Sequence, residues 1–212
     1  MQSRSISAAR VMRKRWATMP CHIQIVEMKM KDFVNSIKPY YIIVIFTLWI
    51  GTLLFVQLYL LPNFQSITGQ EIIEMSGGYT TSEAYQLFEK YGESGRNYYN
   101  LIQVVDIFLP LFMGLFLSSF SLKLLNSAKF KYLSVGLIPL LLVVADYLEN
   151  VGVFTMLQTF PKEFSNSLVF YTGTITSVKL VLYAVGMLTM AMSLIYWIIV
   201  KTKQNKSTAK FS

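Results

Sequence analysis

The stretch from Tyr40 to Leu61, YYIIVIFTLWIGTLLFVQLYLL, carries no charged residue and is expected to stop at Pro62. With a rise of about 1.5 Å per residue, a helix of about 20 residues matches a hydrocarbon core roughly 30 Å thick. Three further runs share this character. One extends from Leu101 to Leu122 and contains Asp106 and Pro110, and the next, from Tyr132 to about Met156, contains Asp146 and Glu149. The last, Leu168 to Val200, is too long for one perpendicular span. Counting back about 20 residues from Lys201 places its membrane part near Val181, within a span of about 177–200. Residues 168–180 then read as an extension or a tilted first turn. One such run alone could be a buried soluble helix, but four in one chain predict an all-α fold, a four-transmembrane-helix bundle.

Composition agrees. Hydrophobic residues make up 54% of the 212, charged residues 14%, and the mean hydropathy is +0.47. Soluble domains carry about 25% charged residues, so the shortage points to lipid. The net charge of +8 does not point to nucleic acid, because the basic residues flank apolar runs without interleaved aromatics. Anionic lipid headgroups are the expected partners. Four helices of this size rarely enclose a transport path, so a homo-oligomer or a membrane partner is a further expectation.

Lysine and arginine placement gives a direction. Arg4, Arg10, Arg13, Lys14, Arg15, Lys29, Lys31 and Lys38 precede the first span; Lys123, Lys129 and Lys131 lie between spans two and three; Lys201, Lys203, Lys206 and Lys210 follow the fourth. Against these stand only Lys90 and Arg96 in the 62–100 loop and Lys162 in the short loop. Both termini are therefore expected in the cytoplasm of a cell-membrane, multi-pass protein, with 39–200 as the transmembrane domain between basic segments 1–38 and 201–212. Residues 1–27 lack the apolar core of a signal peptide. Met30 is an alternative start, so residues 1–29 read either as a start-site extension or as a disordered tail.

The 62–100 loop carries Glu71, Glu74, Glu83, Glu89 and Glu93, with Gly77 and Gly78 marking a turn. Thr80 and Glu83 form a capping-box pattern. Ala84, Leu87, Phe88 and Tyr91 follow at helical spacing, and Gly92 is placed to end the helix. The pattern predicts a short amphipathic helix over the outer face or the bundle mouth, either packing the loop down or acting as a lid.

The strongest functional signal is ionisable groups inside apolar runs. Asp106 lies near the outer end of span two, Asp146 and Glu149 in the outer half of span three, and Lys179 at the outer end of span four. Asp146, Glu149 and Asn150 share a helix face, as do Gln103 with Asp106 and Lys179 with Thr172, Thr176 and Tyr183. A charge deep in lipid costs at least about 2.5–3.5 kcal/mol, so these groups should face the bundle interior. Lys179 is expected to pair with Asp146 or Glu149, and Arg96 to fold over the mouth. The remaining negative charge calls for a cation held by Asp106, Asp146 and Glu149, or for a carboxyl that keeps its proton. Pro110 should bend span two below Asp106.

GRNYY at 95–99, D-x3-P at 106–110 and ADYLEN at 145–150 together resemble small bacterial four-helix integral membrane proteins of uncharacterised function. The resemblance covers about residues 30–200 and implies the four-helix fold without implying an activity.

The chain has no phosphate-binding glycine loop, H-E-x-x-H or G-x-S-x-G motif. His22 is its only histidine and Cys21 its only cysteine, which excludes cysteine-pair chemistry. No cofactor is expected. The leading expectation is an outward-facing polar pocket for a small molecule, lipid headgroup or cation. Asp106, Asp146 and Glu149 would be its acceptors, Lys179 the counter-charge, and Asn150 and Arg96 orienting or gating groups. Two alternatives stay open: a structural or assembly subunit whose buried ion pairs fix helix packing, and a carboxylate-dependent lipid enzyme.

Overall fold

A computed structural model describes residues 21–76, 79–162 and 164–209. The basic residues before position 21 and the Gly77–Gly78 turn lie outside the described residues. Four helical segments are long and apolar enough to cross a membrane: Pro39–Thr68, Thr81–Ser127, Leu133–Thr159 and Asn166–Asn205. The chain is an all-α, multi-pass membrane protein.

Helix α1 (Cys21–Ser36) precedes the spans. Its Val34 and Glu27 are buried, and the Glu27 carboxylate accepts from the backbone N–H of Leu133 at 3.0 Å and from the Ser134 hydroxyl at 3.3 Å. A free N–H at a helix start is a natural seat for an acid. Glu27 therefore packs against the start of span three.

The first span begins as α2 (Pro39–Phe55), with Pro39 in its first turn. It continues through a π-helical turn, Val56–Leu60, into α3 (Leu61–Thr68). Pro62 was expected to stop the helix. Instead the wider turn just before it accommodates the missing proline N–H, and the chain stays helical until the left-handed Gly69. Helix α4 (Thr81–Asp106) starts at the capping box, with the Thr80 N–H donating to Glu83 at 2.7 Å and the Glu83 N–H to the Thr80 hydroxyl at 3.3 Å. Gly92 interrupts it at φ 62°, ψ −180°, a region open essentially to glycine alone. The amphipathic helix therefore ends where the sequence indicated, but a further helical segment follows directly and enters span two. Ile107, with helical dihedrals of φ −58° and ψ −36°, joins α4 to α5 (Phe108–Ser127), which has Pro110 in its first turn.

Span three opens as a 3-10 helix, Leu133–Leu137, and becomes α6 (Leu140–Thr159) only after Pro139. Span four is one helix, α7 (Asn166–Ala209, 44 residues), about 66 Å long at 1.5 Å per residue. The stretch 168–180 is thus continuous with the span.

Helix α6 packs mainly on α7, α5 on α7 and α6, and α2 mainly on α5. A side chain at Gly152 would collide with Thr172, so this glycine lets α6 and α7 approach closely beside the polar residues described next. At the end bearing the 62–100 segment, a cap of buried Phe64, Ile73, Phe88, Tyr91, Tyr99 and Phe164 closes the bundle. Its rings meet edge-on, Phe64 to Tyr91 at 5.0 Å and Tyr91 to Tyr99 at 5.8 Å, which suits the quadrupoles of aromatic rings. The Tyr91 hydroxyl donates to the Glu71 carbonyl at 2.8 Å and ties the loop down.

Candidate functional site

Beneath this cap the helices bring their ionisable groups together. On α6, Asp146, Glu149 and Asn150 share one face, and Asp146 and Glu149 are 2% and 0% exposed. Lys179 reaches across from α7 into a close ion pair with Glu149, and its ammonium lies 3.8 Å from Asp146. One turn earlier on α7, the Thr176 hydroxyl donates to the other Glu149 oxygen. From α4, Asp106 accepts from the Asn150 amide at 3.2 Å and adjoins Asp146. Glu149 needs this company, because a carboxylate held away from water is costly unless paired and hydrogen-bonded.

Glu74, from the 3-10 turn Ile73–Ser76 that follows α3, joins the cluster, and its carboxylate accepts from the Gln103 amide at 2.7 Å. Burial first, and then the Asp106 carboxylate, push Glu74 up to about 7, against the pull of Lys179. Glu74 was not singled out from its neighbours because a glutamate in an acidic loop reads as solvated. The available signal was the apolar pair Ile72–Ile73 just before it; both are buried, and they carry Glu74 inward.

Arg96 is not among these groups. Its guanidinium donates to the Phe88 carbonyl at 2.9 Å and lies 4.3 Å from the Phe160 ring centre. The break at Gly92 frees carbonyls in the preceding turn, and Arg96 satisfies one of them while stacking on the cap. It is a clamp on the cap, which corrects the expectation of a gate over the carboxylates. Among the described residues, no three acidic, histidine or cysteine side chains are placed to hold a metal ion. The Lys179 ammonium itself stands between Asp146 and Glu149.

Several buried polar atoms around the cluster have no hydrogen-bond partner. They include Gln103 Oε1, Asn150 Oδ1 and the hydroxyl of Tyr99. Native interiors contain few such atoms. A groove of about 480 Å³ adjoins them, lined by residues of α4 and α6 that include Gln103 and Asn150. It opens on the flank of the bundle, where Val104, Val151 and Phe154 are exposed. Toward the loop end the cluster is followed by the buried aromatic residues of the cap.

Fold and site together define a multi-pass helical membrane protein with a capped intramembrane charge cluster. The chain matches no protein-family model, no curated protein and no solved structure.

Proposed function

We propose that the cluster is a binding site for a small hydrogen-bond-donating group, on the membrane face opposite the basic termini. The observation that carries this reading is the pair of unpartnered amide oxygens on Gln103 and Asn150, each belonging to a residue at most 8% exposed. Amide oxygens accept hydrogen bonds, so the complementary ligand group is a donor. Glu74, Asp106, Asp146 and Glu149 against one Lys179 further favour a cationic or neutral group over an anion. Residues that only fixed helix packing would be fully satisfied by one another. The packing reading draws its support from the Lys179–Glu149 pair, which joins α6 to α7.

Thermal unfolding of the purified full chain with and without ethanolamine tests the proposal. Stabilisation on the order of 1.4 kcal/mol is expected at ten times Kd. The ligand-induced shift should vanish in Asn150→Ala and Gln103→Ala. No shift in the native protein, or an equal shift in both variants, contradicts the site.

A further inference from the structure

We propose that the occupant is a single-chain membrane amphiphile with an ammonium head, which reaches the cluster sideways with its chain in the groove between α4 and α6. This rests on the binding-site reading above and names the ligand class and its route.

The groove lies within the apolar parts of spans two and three. Its walls, Val104, Ile107, Val151 and Phe154, are 44–64% exposed on the bundle flank, where they meet hydrocarbon. Its volume of about 480 Å³ is within the roughly 300–1,000 Å³ of small-ligand sites. Both ends are bridged. Toward the cap, the Gln158 amide donates to Asn100 at 3.4 Å; at the opposite end, the Tyr147 hydroxyl donates to the Ile107 carbonyl at 3.0 Å. What remains open is the side facing lipid.

Two amides stand between groove and cluster. Asn150 and Gln103 line the groove while donating to Asp106 and Glu74 respectively. Each keeps its amide oxygen buried and unpartnered. A head group lodged there meets acceptors backed by carboxylates, which selects a donor and disfavours an anion. An ammonium offers donors together with the compensating charge. The groove opens on the apolar flank while buried aromatic rings pack at the loop end, so a lipid-borne ligand has the shorter path.

The test uses the full chain in maltoside micelles at pH 7, with hexadecylamine and the chain-matched anion hexadecanoate as probes and ethanolamine as the chainless head. Val151→Trp fills the groove from an exposed position, and Leu141→Trp, exposed on α6 away from it, is the control. Hexadecylamine should half-saturate the thermal shift at a micellar mole fraction at least ten-fold lower than hexadecanoate. Val151→Trp should weaken the hexadecylamine response at least ten-fold, while Leu141→Trp leaves both the hexadecylamine and the ethanolamine responses unchanged. Equal responses to the two long-chain probes, or a hexadecylamine response that survives Val151→Trp, overturn the proposal. A response to ethanolamine with none to hexadecylamine overturns it while leaving the site standing. No response to either overturns both.

Discussion

Spans one and three show what apolarity does and does not decide in this protein. In span one, only 6% of the most apolar stretch is buried, and α2 buries no residue at all; in span three the share is 50%. Span one is nevertheless the more apolar of the two. In lipid, tails surround a leucine as well as another helix does, so apolar side chains bring a helix into the membrane without drawing it to its neighbours. Close packing follows small and polar residues instead. Span three has Gly152 against Thr172, and Asp146, Glu149 and Asn150 facing Lys179 and Asp106. Span one, from Tyr40 to Leu61, has no charged residue and meets mainly α5.

This contrast can be broken by substitution. The largest effect is expected where charge is buried. Lys179→Met leaves Glu149 and Asp146 without their ammonium, and stripping one member from a buried pair costs about 3–5 kcal/mol. Stepwise SDS unfolding of the purified protein should show a loss of that size.

An intermediate effect is expected at Glu74 and should appear as pH dependence. Its carboxyl is raised from the usual 4.5 to about 7, so the folded state holds the proton more tightly than the unfolded one. Between those values the folded protein binds more protons, and its stability falls as pH rises. Above about 7 both states are ionised and this contribution levels off. Glu74→Gln should flatten the slope of thermal stability between pH 4.5 and 7; an unchanged slope would remove Glu74 from the cluster's electrostatics.

The smallest effect is expected on span one. Ile43 is 64% exposed, and Ile43→Ala should change unfolding by no more than about 0.5 kcal/mol, as for other positions without buried contacts. A larger loss in membranes, absent in detergent monomers, would mean that α2 has a protein neighbour there.

The sequence conveyed the spans because length and charge are local properties. The capping box at Thr80 and Glu83 and the helix end at Gly92 were legible for the same reason. The convergence of Asp146, Glu149 and Asn150 followed from helical spacing and the cost of charge in lipid. What escaped were features set by tertiary contact. Glu74 enters the cluster because a 3-10 turn folds inward, and nothing in its own spacing announces that. Arg96 looked like a gate from its position near the mouth, yet its partner is the Phe88 carbonyl freed at the break. Pro62 looked like a stop, and the π turn before it made it passable. Glu27 sits in a basic segment with few cues, and its role depends on Leu133, 106 positions away.

The Lys179–Glu149 pair is the point at which the packing of α6 on α7 and the charge balance of the site meet. A double-mutant cycle with Lys179→Met and Glu149→Gln, read by SDS unfolding, measures that interaction directly. The double variant should recover most of the stability lost in Lys179→Met, because the buried carboxylate is neutralised together with its counter-charge. Losses that simply add would show that the two groups do not meet inside the bundle.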